Sequence, residues 1–342
     1  MATPNRHRDE EMPGSVTSVF SEPADFEAAL REEGGLGLLI TGRGQFRARL
    51  TQVKLHRLRL SATEEQLSRI AFVAVPADLI LVSLPMDDRP GPIWGGIRMR
   101  AGEIITLGPG QRAHARTDGR SRSGAIWLPA QDLARYGQAL TGATFSVPSF
   151  TRSWRSSPAA GRQLTQLHGA GMRMAGVRPE ILVDAEAAHG LEQQLIDALV
   201  ECLSAGSADK ATPAVRRHQD ILIRFEGMLQ AQPERNLRMA EIFPVLGVSE
   251  RLLRSVCAEH LGMSPNSYLR LRRMSLVHRT LSRGDSETAS VSEVARHYGF
   301  HNLGRFAAEY RALFGELPSS TLRRSLHPGT AHLVVRRRRG ST

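Results

Sequence analysis

Met239-Ala-Glu-Ile-Phe-Pro-Val-Leu-Gly-Val-Ser249-Glu-Arg-Leu-Leu-Arg-Ser-Val-Cys-Ala-Glu-His-Leu-Gly-Met-Ser-Pro265 decides the fold, because the chain repeats its plan. The second copy is Val291-Ser-Glu-Val-Ala-Arg-His-Tyr-Gly-Phe-His-Asn302-Leu-Gly-Arg-Phe-Ala-Ala-Glu-Tyr-Arg-Ala-Leu-Phe-Gly-Glu-Leu-Pro318. Each reads helix, glycine turn, capping residue, helix, glycine, proline. Gly247 and Gly299 supply the positive φ that a tight exit from the first helix requires. Ser249 and Asn302 can accept hydrogen bonds from the open amides that begin the second helix. Val248 and Phe300 sit as apolar plugs beneath the turns, and Gly262–Pro265 matches Gly315–Pro318 in spacing. Leu253, Val256 and Cys257 in one copy, and Phe306, Tyr310 and Leu313 in the other, form inward faces. One copy alone would also describe an ordinary helical hairpin. Two in register, joined by an apolar and basic helix over 268–281, point to paired helix-turn-helix units whose second helices read DNA.

The charge agrees with that reading without proving it. The net charge is +11, and Lys54 and Lys210 are the only lysines, so arginine carries nearly all the positive charge. Arginine's planar fork suits phosphates and guanine edges, although GC-rich codon usage would produce the same skew. Residues 215–324 hold 17 arginines against 11 acidic residues, a surplus of six. A basic tail ends in Arg336–Arg339 and is read as solvated chain with a secondary affinity for phosphate. The two cysteines, Cys202 and Cys257, lie among helical apolar residues and are expected as buried free thiols, which excludes a disulfide framework or a cysteine zinc site. No apolar run is long enough to span a membrane, and the first residues lack the apolar core of a secretory signal. A cytoplasmic protein is expected, nucleoid-associated when bound.

At these motifs the chain resembles the arabinose-regulator (AraC/XylS) family of bacterial transcription regulators. The resemblance rests on Gly262-Met-Ser-Pro265, Tyr268-Leu269, Arg272-Arg273-Met274, Val294-Ala295, Gly299-Phe300, Arg305-Phe306 and Leu313-Phe314-Gly315-Glu-Leu-Pro318. It implies two units on a rigid central helix, with recognition helices in successive major-groove segments. It places Arg251, Arg254 and Ser255 at base-reading positions of the first unit, and Leu303, Gly304, Ala307 and Ala308 at those of the second. The second set is nearly bare of donors, though Leu or Ala can touch a thymine methyl. Ser249, Glu250, Arg272, Arg273, His301, Asn302, Arg305 and Arg311 are assigned to phosphates or flanking bases. Gly247, Gly262, Pro265, Ala295, Gly299, Phe300, Phe306, Gly315 and Pro318 are framework. Pro244 departs from the family pattern and predicts a short or kinked first helix in unit one.

Upstream, short apolar runs cut by Gly and Pro predict a small β-barrel, so the fold class is α+β: a cupin-like β-barrel, a helical connector, then an all-α domain. The expected division is 1–15 leader, 16–150 regulatory domain, 151–213 connector and dimerisation region, 214–325 DNA-binding domain, and 326–342 tail. Leu191, Leu195, Leu199 and Leu203 recur every four residues beside Ile196 and Val200. Such a face either packs on its own β-domain or forms a dimer seam. Gly102-Glu-Ile-Ile-Thr-Leu-Gly-Pro109-Gly110, followed by His114, resembles the second cupin motif. The first is missing: His56 has no His-x-His partner, which argues against a cupin enzyme, and no metal or cofactor is expected. Trp94, Arg98, His114 and Trp127 are candidates to line an effector pocket. The expected partners are promoter DNA, a second copy of the chain, RNA polymerase if the protein activates, and a small-molecule effector, with no membrane.

Overall fold

The computed structural model describes residues 13–31, 34–87, 89, 91–100, 102–208, 213–233, 235–283 and 290–326. The basic tail and most of the leader lie outside these residues. Thirteen described strands form two antiparallel sheets. They are β1 (Gly14–Phe20), β2 (Gly35–Ile40), β3 (Ala48–Lys54), β4 (Arg59–Glu65), β5 (Arg69–Ala74), β6 (Leu79–Pro85), β7 (Ile93–Trp94), β8 (Ile97–Arg98), β9 (Glu103–Leu107), β10 (Arg112–Thr117), β11 (Ser121–Pro129), β12 (Arg152–Arg155) and β13 (Ser207–Ala208). The larger sheet runs β1-β3-β4-β11-β6-β9-β12-β13 and the smaller β2-β5-β10-β7-β8. The β-rich domain is therefore two facing sheets rather than one ladder closed into a barrel.

The pattern along β6 explains its central place. Every residue of Leu79–Pro85 is buried, because Ile80, Val82 and Leu84 face helices on one side while Leu79 and Leu81 face the smaller sheet on the other. A strand covered on both faces reads as a continuous apolar run. The helices covering the larger sheet are α2 (Ala130–Thr141), α3 (Pro158–Val177) and α4 (Ala185–Ser204); α1 (Pro23–Arg31) lies beside β2. Ser157 caps α3 through the Ala160 amide at 3.2 Å, and Asp184 caps α4 through the Ala187 amide at 2.8 Å.

The leucine face of α4 is consumed within its own chain. Leu191, Leu195, Ile196, Leu199, Val200 and Leu203 all join the core with Leu60, Ile126 and Leu128 of the larger sheet. Of the two readings of that face, packing on the β-domain is the one these contacts show.

The remaining helices are α5 (Pro213–Ala231), α6 (Met239–Leu246), α7 (Glu250–Leu261), α8 (Pro265–Arg283), α9 (Val291–His297), α10 (Leu303–Phe314) and α11 (Pro318–Leu326). Pro318 thus opens a further helix. This domain packs on the outer face of the smaller sheet. Leu39, Ile70 and Phe72 share one core with Ile221 and Phe225 of α5, Ile242 of α6, Val256 of α7 and Tyr268 of α8. The result is a layered stack: helices, larger sheet, smaller sheet, helical domain.

Candidate DNA-reading face and effector cavity

The two repeats fold as their local chemistry dictates. Gly247 and Gly299 adopt φ of 62° and 81°, and Gly262 and Gly315 adopt 71° and 77°. Ser249 Oγ accepts from the Leu252 amide at 3.2 Å, and Asn302 Oδ1 from the Arg305 amide at 3.0 Å. Helix α6 is short, eight residues with Pro244 inside it. Leu253, Val256 and Cys257 are fully buried, as are Phe306 and Tyr310, while Phe300 closes the second turn. Pro265 and Ala295 are buried framework as well, and Val248 is half-buried against the first core. Helix α8 serves both units: Tyr268 enters the first core, and Met274, Val277 and Leu281 the second.

On α7, Arg251, Arg254 and Ser255 are exposed on one side, and Arg254 pairs with Glu250 one turn earlier. On α10, Gly304 and Ala308 are exposed and Leu303 and Ala307 half-exposed, so that face carries no side-chain donor at these positions. His301, Asn302, Arg305 and Arg311 surround it and are exposed. Arg305 is held by Glu309 at 2.8 Å, and Arg270 meets the same carboxylate.

Arg272 and Arg273, expected at phosphates, both make side-chain bonds within the helical domain. Arg272 turns inward to the buried Glu226 carboxylate at 3.1 Å, where the Tyr268 hydroxyl also donates. Burial raises the pKa of Glu226 and Arg272 opposes that rise. Arg273 donates to Asn236 at 2.8 Å and lies over the Phe300 ring. Both arginines fasten α8 to its neighbours. Glu226 and Asn236 were not singled out in the sequence, since a lone acid or amide on a helix carries no signal of its partner.

The β-domain contacts α7 and α10 at their C-terminal ends. His260 packs against Gly96 and the His114 ring, whose centroid is 5.2 Å away. The Arg116 side chain lies against Gly262. At the other unit, the Gly44 amide donates to the Leu313 carbonyl at 3.2 Å. Arg279 reaches Glu27 at 2.7 Å, Arg324 reaches Glu22 at 3.1 Å, and Gln219 donates to the Gly95 carbonyl at 2.9 Å. Arg251, Arg254 and Ser255 of α7 and Gly304, Arg305 and Ala308 of α10 remain exposed.

Between the sheets lies a small cavity, partly open to solvent. Trp94 and Trp127 line it with Leu81, Ala115 and Phe72, among the hydroxyls of Ser61, Thr63, Ser83 and Ser123. Trp94 Nε1 donates to Ser83 at 3.2 Å, whereas Trp127 Nε1 is buried without a partner. Arg69 also lines the cavity, but Glu65 holds it at 2.7 and 2.8 Å and it donates to the Ala115 carbonyl. The structure does not bring Arg98 and His114 to this cavity. Arg98 is on the surface beside Asp118 at 3.1 Å. His114 faces the helical domain because Ala113 and Ala115, its neighbours along β10, take the inward positions. The alternating Ser61 and Thr63 of β4 were the overlooked signal: small polar residues at inward positions of a strand leave space.

The paired turns and the N-capped helices that follow them define two helix-turn-helix units. The helix-turn-helix domain family matches residues 244–324. The XylDLEGF operon transcriptional activator 2 of Pseudomonas putida is 38% identical over 129 residues, which cover 38% of this chain and 79% of that protein. The chain belongs to the AraC/XylS family. The XylDLEGF operon transcriptional activator 1 of Pseudomonas putida is 32% identical over 134 residues, 39% of this chain and 38% of that protein. The XylDLEGF operon transcriptional activator 3 is 25% identical over 249 residues, 68% of this chain and 69% of that protein. The match spans about two fifths of the length of several of these relatives. No helix among the described residues is long and apolar enough to cross a membrane.

Proposed function

We propose that the chain binds promoter DNA and activates transcription, with α7 reading most of the bases and α10 chiefly positioning the protein. One observation carries this reading: two matched, N-capped helices, of which only α7 has exposed arginines and a serine at the expected base-reading positions, where α10 has Leu303, Gly304, Ala307 and Ala308. Arg251 and Arg254 suit bidentate contact with guanine, while Arg305, Arg311 and His301 suit phosphates. The β-domain is read as the regulatory half. Its cavity, with an unpaired indole N–H and a ring of hydroxyls but no unengaged cation among the lining residues described, suits an apolar or aromatic molecule bearing hydrogen-bond acceptors. Glu27 and Phe72 line that cavity and also touch the helical domain. A bound effector could therefore alter the grip on α7 and α10.

The test begins with an operator selected from random duplexes by the full-length protein. Arg251→Ala should weaken binding to it by about 1–3 kcal/mol and relax preference at one base pair. Arg305→Ala should weaken binding to all sequences alike and lower the salt slope by about one. An Arg251→Ala protein with unchanged affinity and unchanged preference would remove α7 from the reading role.

A further inference from the structure

Where the first unit meets the smaller sheet, three metal-ligating side chains converge. His218 of α5 and Glu259 and His260 of α7 each offer a ligand atom within 4.8 Å of the others. His218 Nδ1 is 2.8 Å from one oxygen of Glu259, and His260 Nε2 is 3.9 Å from the other. His260 is fully buried, yet neither ring nitrogen has a hydrogen-bond partner. Buried polar nitrogens are seldom left this way without cause. The backbone at Gly96 presses on the same ring, so close that a Cβ there would stand 2.9 Å from Cε1. Across the seam, the Nε2 of His114 is likewise buried and unpartnered.

We propose that His218, Glu259 and His260 form a binding site for a divalent transition-metal ion of the Zn²⁺ class. Two imidazoles and a carboxylate are a donor set that such ions accept, whereas Mg²⁺ and Ca²⁺ favour all-oxygen shells. Around a tetrahedral Zn²⁺ with bonds of ~2.0–2.1 Å, ligand atoms stand about 3.4 Å apart. The two imidazoles approach different oxygens of Glu259, at 2.8 and 3.9 Å, and one ligand atom from each residue lies within 4.8 Å of the other two. Glu259 is on the exposed side of α7, so its carboxylate can rotate to meet the tetrahedral spacing. Water completes the shell, as it does wherever a protein supplies three ligands. The site is at the opposite end of α7 from Arg251, so the ion leaves the reading side free. It clasps α7 to α5 where Gly96 and His114 of the β-domain press on the recognition helix. This inference does not depend on DNA binding.

The test is direct titration of the metal-stripped, full-length protein with Zn²⁺ by calorimetry, and with Co²⁺ by visible absorption. One equivalent should bind with micromolar or tighter affinity. His218→Ala and Glu259→Gln should each weaken that first site by roughly tenfold or more. Both positions are accessible enough to spare the fold, which urea unfolding of the metal-free variants would verify. His56→Ala, at an exposed histidine of the β-domain, should bind as the parent does. No binding at tens of micromolar Zn²⁺ overturns the proposal. So does a first equivalent whose affinity is unchanged in both His218→Ala and Glu259→Gln.

Discussion

Arg272 offers the sharpest test of how the helical domain is held together. In sequence it belongs to the motif from which phosphate contact was inferred; in the structure it neutralises Glu226, a carboxylate with 4% exposure. Replacing Arg272 by Ala strands that charge beside the Tyr268 hydroxyl. Removing one partner of a buried pair costs about 3–5 kcal/mol. The Arg272 side chain keeps 21% exposure and Tyr268 still donates, so the lower end, about 3 kcal/mol, is expected. Adding Glu226→Gln should recover about 1–2 kcal/mol, because a neutral amide is far cheaper to bury than an unpaired carboxylate. The pH dependence has a definite sign. The pKa of Glu226 is already raised by burial, and losing Arg272 raises it further. A carboxylate with a raised folded pKa destabilises the fold at high pH, so the deficit of Arg272→Ala should shrink as pH falls from 7 through that pKa. Urea unfolding followed by helical circular dichroism measures all of this, with an unchanged slope confirming an unchanged unfolding reaction. The reasoning fails if Arg272→Ala unfolds at the parent's urea concentration and instead loses DNA affinity uniformly, with a salt slope lower by about one.

Other perturbations probe the rest of the fold. Leu195→Ala empties a fully buried position of α4 and should cost about 2–5 kcal/mol in thermal or urea unfolding without changing the sedimentation behaviour; dissociation of a dimer at unchanged stability would instead show a seam between copies. Gly299→Ala forces an L-residue to φ 81° and sets a Cβ 2.6 Å from the Asn236 amide nitrogen. The backbone alone should cost about 1–2 kcal/mol, read as a lowered melting midpoint. His168 and His278 are neutral in the fold, their pKa values lowered by burial from 6.5 to about 4. Their contribution is fully present above pH 6.5 and should be lost as pH falls towards 4; urea midpoints flat across that window would contradict it.

What could be read in the sequence was what short-range chemistry fixes. Gly247 and Gly299 had to take positive φ, Ser249 and Asn302 had to cap, and Pro244 had to shorten α6; each signal and its consequence lie within a turn of one another. The cavity was half legible. Trp94 and Trp127 were found as bulky aromatics among strands, but the assignment of His114 and Arg98 required knowing which side of β10 and β8 faces inward. That parity depends on pairings such as His114 with Phe72, between strands some forty residues apart in the chain. The same limit hid the ties of Arg272 to Glu226 and Arg279 to Glu27, and left the leucine face of α4 undecided between its own sheet and a second copy. Periodicity reports that a face must be covered; it does not name the cover.

The docking of the helical domain on the smaller sheet bears on how the protein can be cut into pieces. Leu39, Ile70 and Phe72 are buried beneath α5 to α8 rather than within the β-domain itself. A fragment ending at 208 would keep both sheets and α4 but bare those three side chains together, on a short sheet already carrying an edge strand. Contiguous apolar surface beside an unpaired edge invites self-association. The reverse fragment, 213–326, would expose the facing sides of Ile221 and Phe225. Each half therefore acts as a solubility partner for the other, and aggregation of the separated halves under conditions where the whole chain stays dispersed would be the ordinary outcome of cleaving between them.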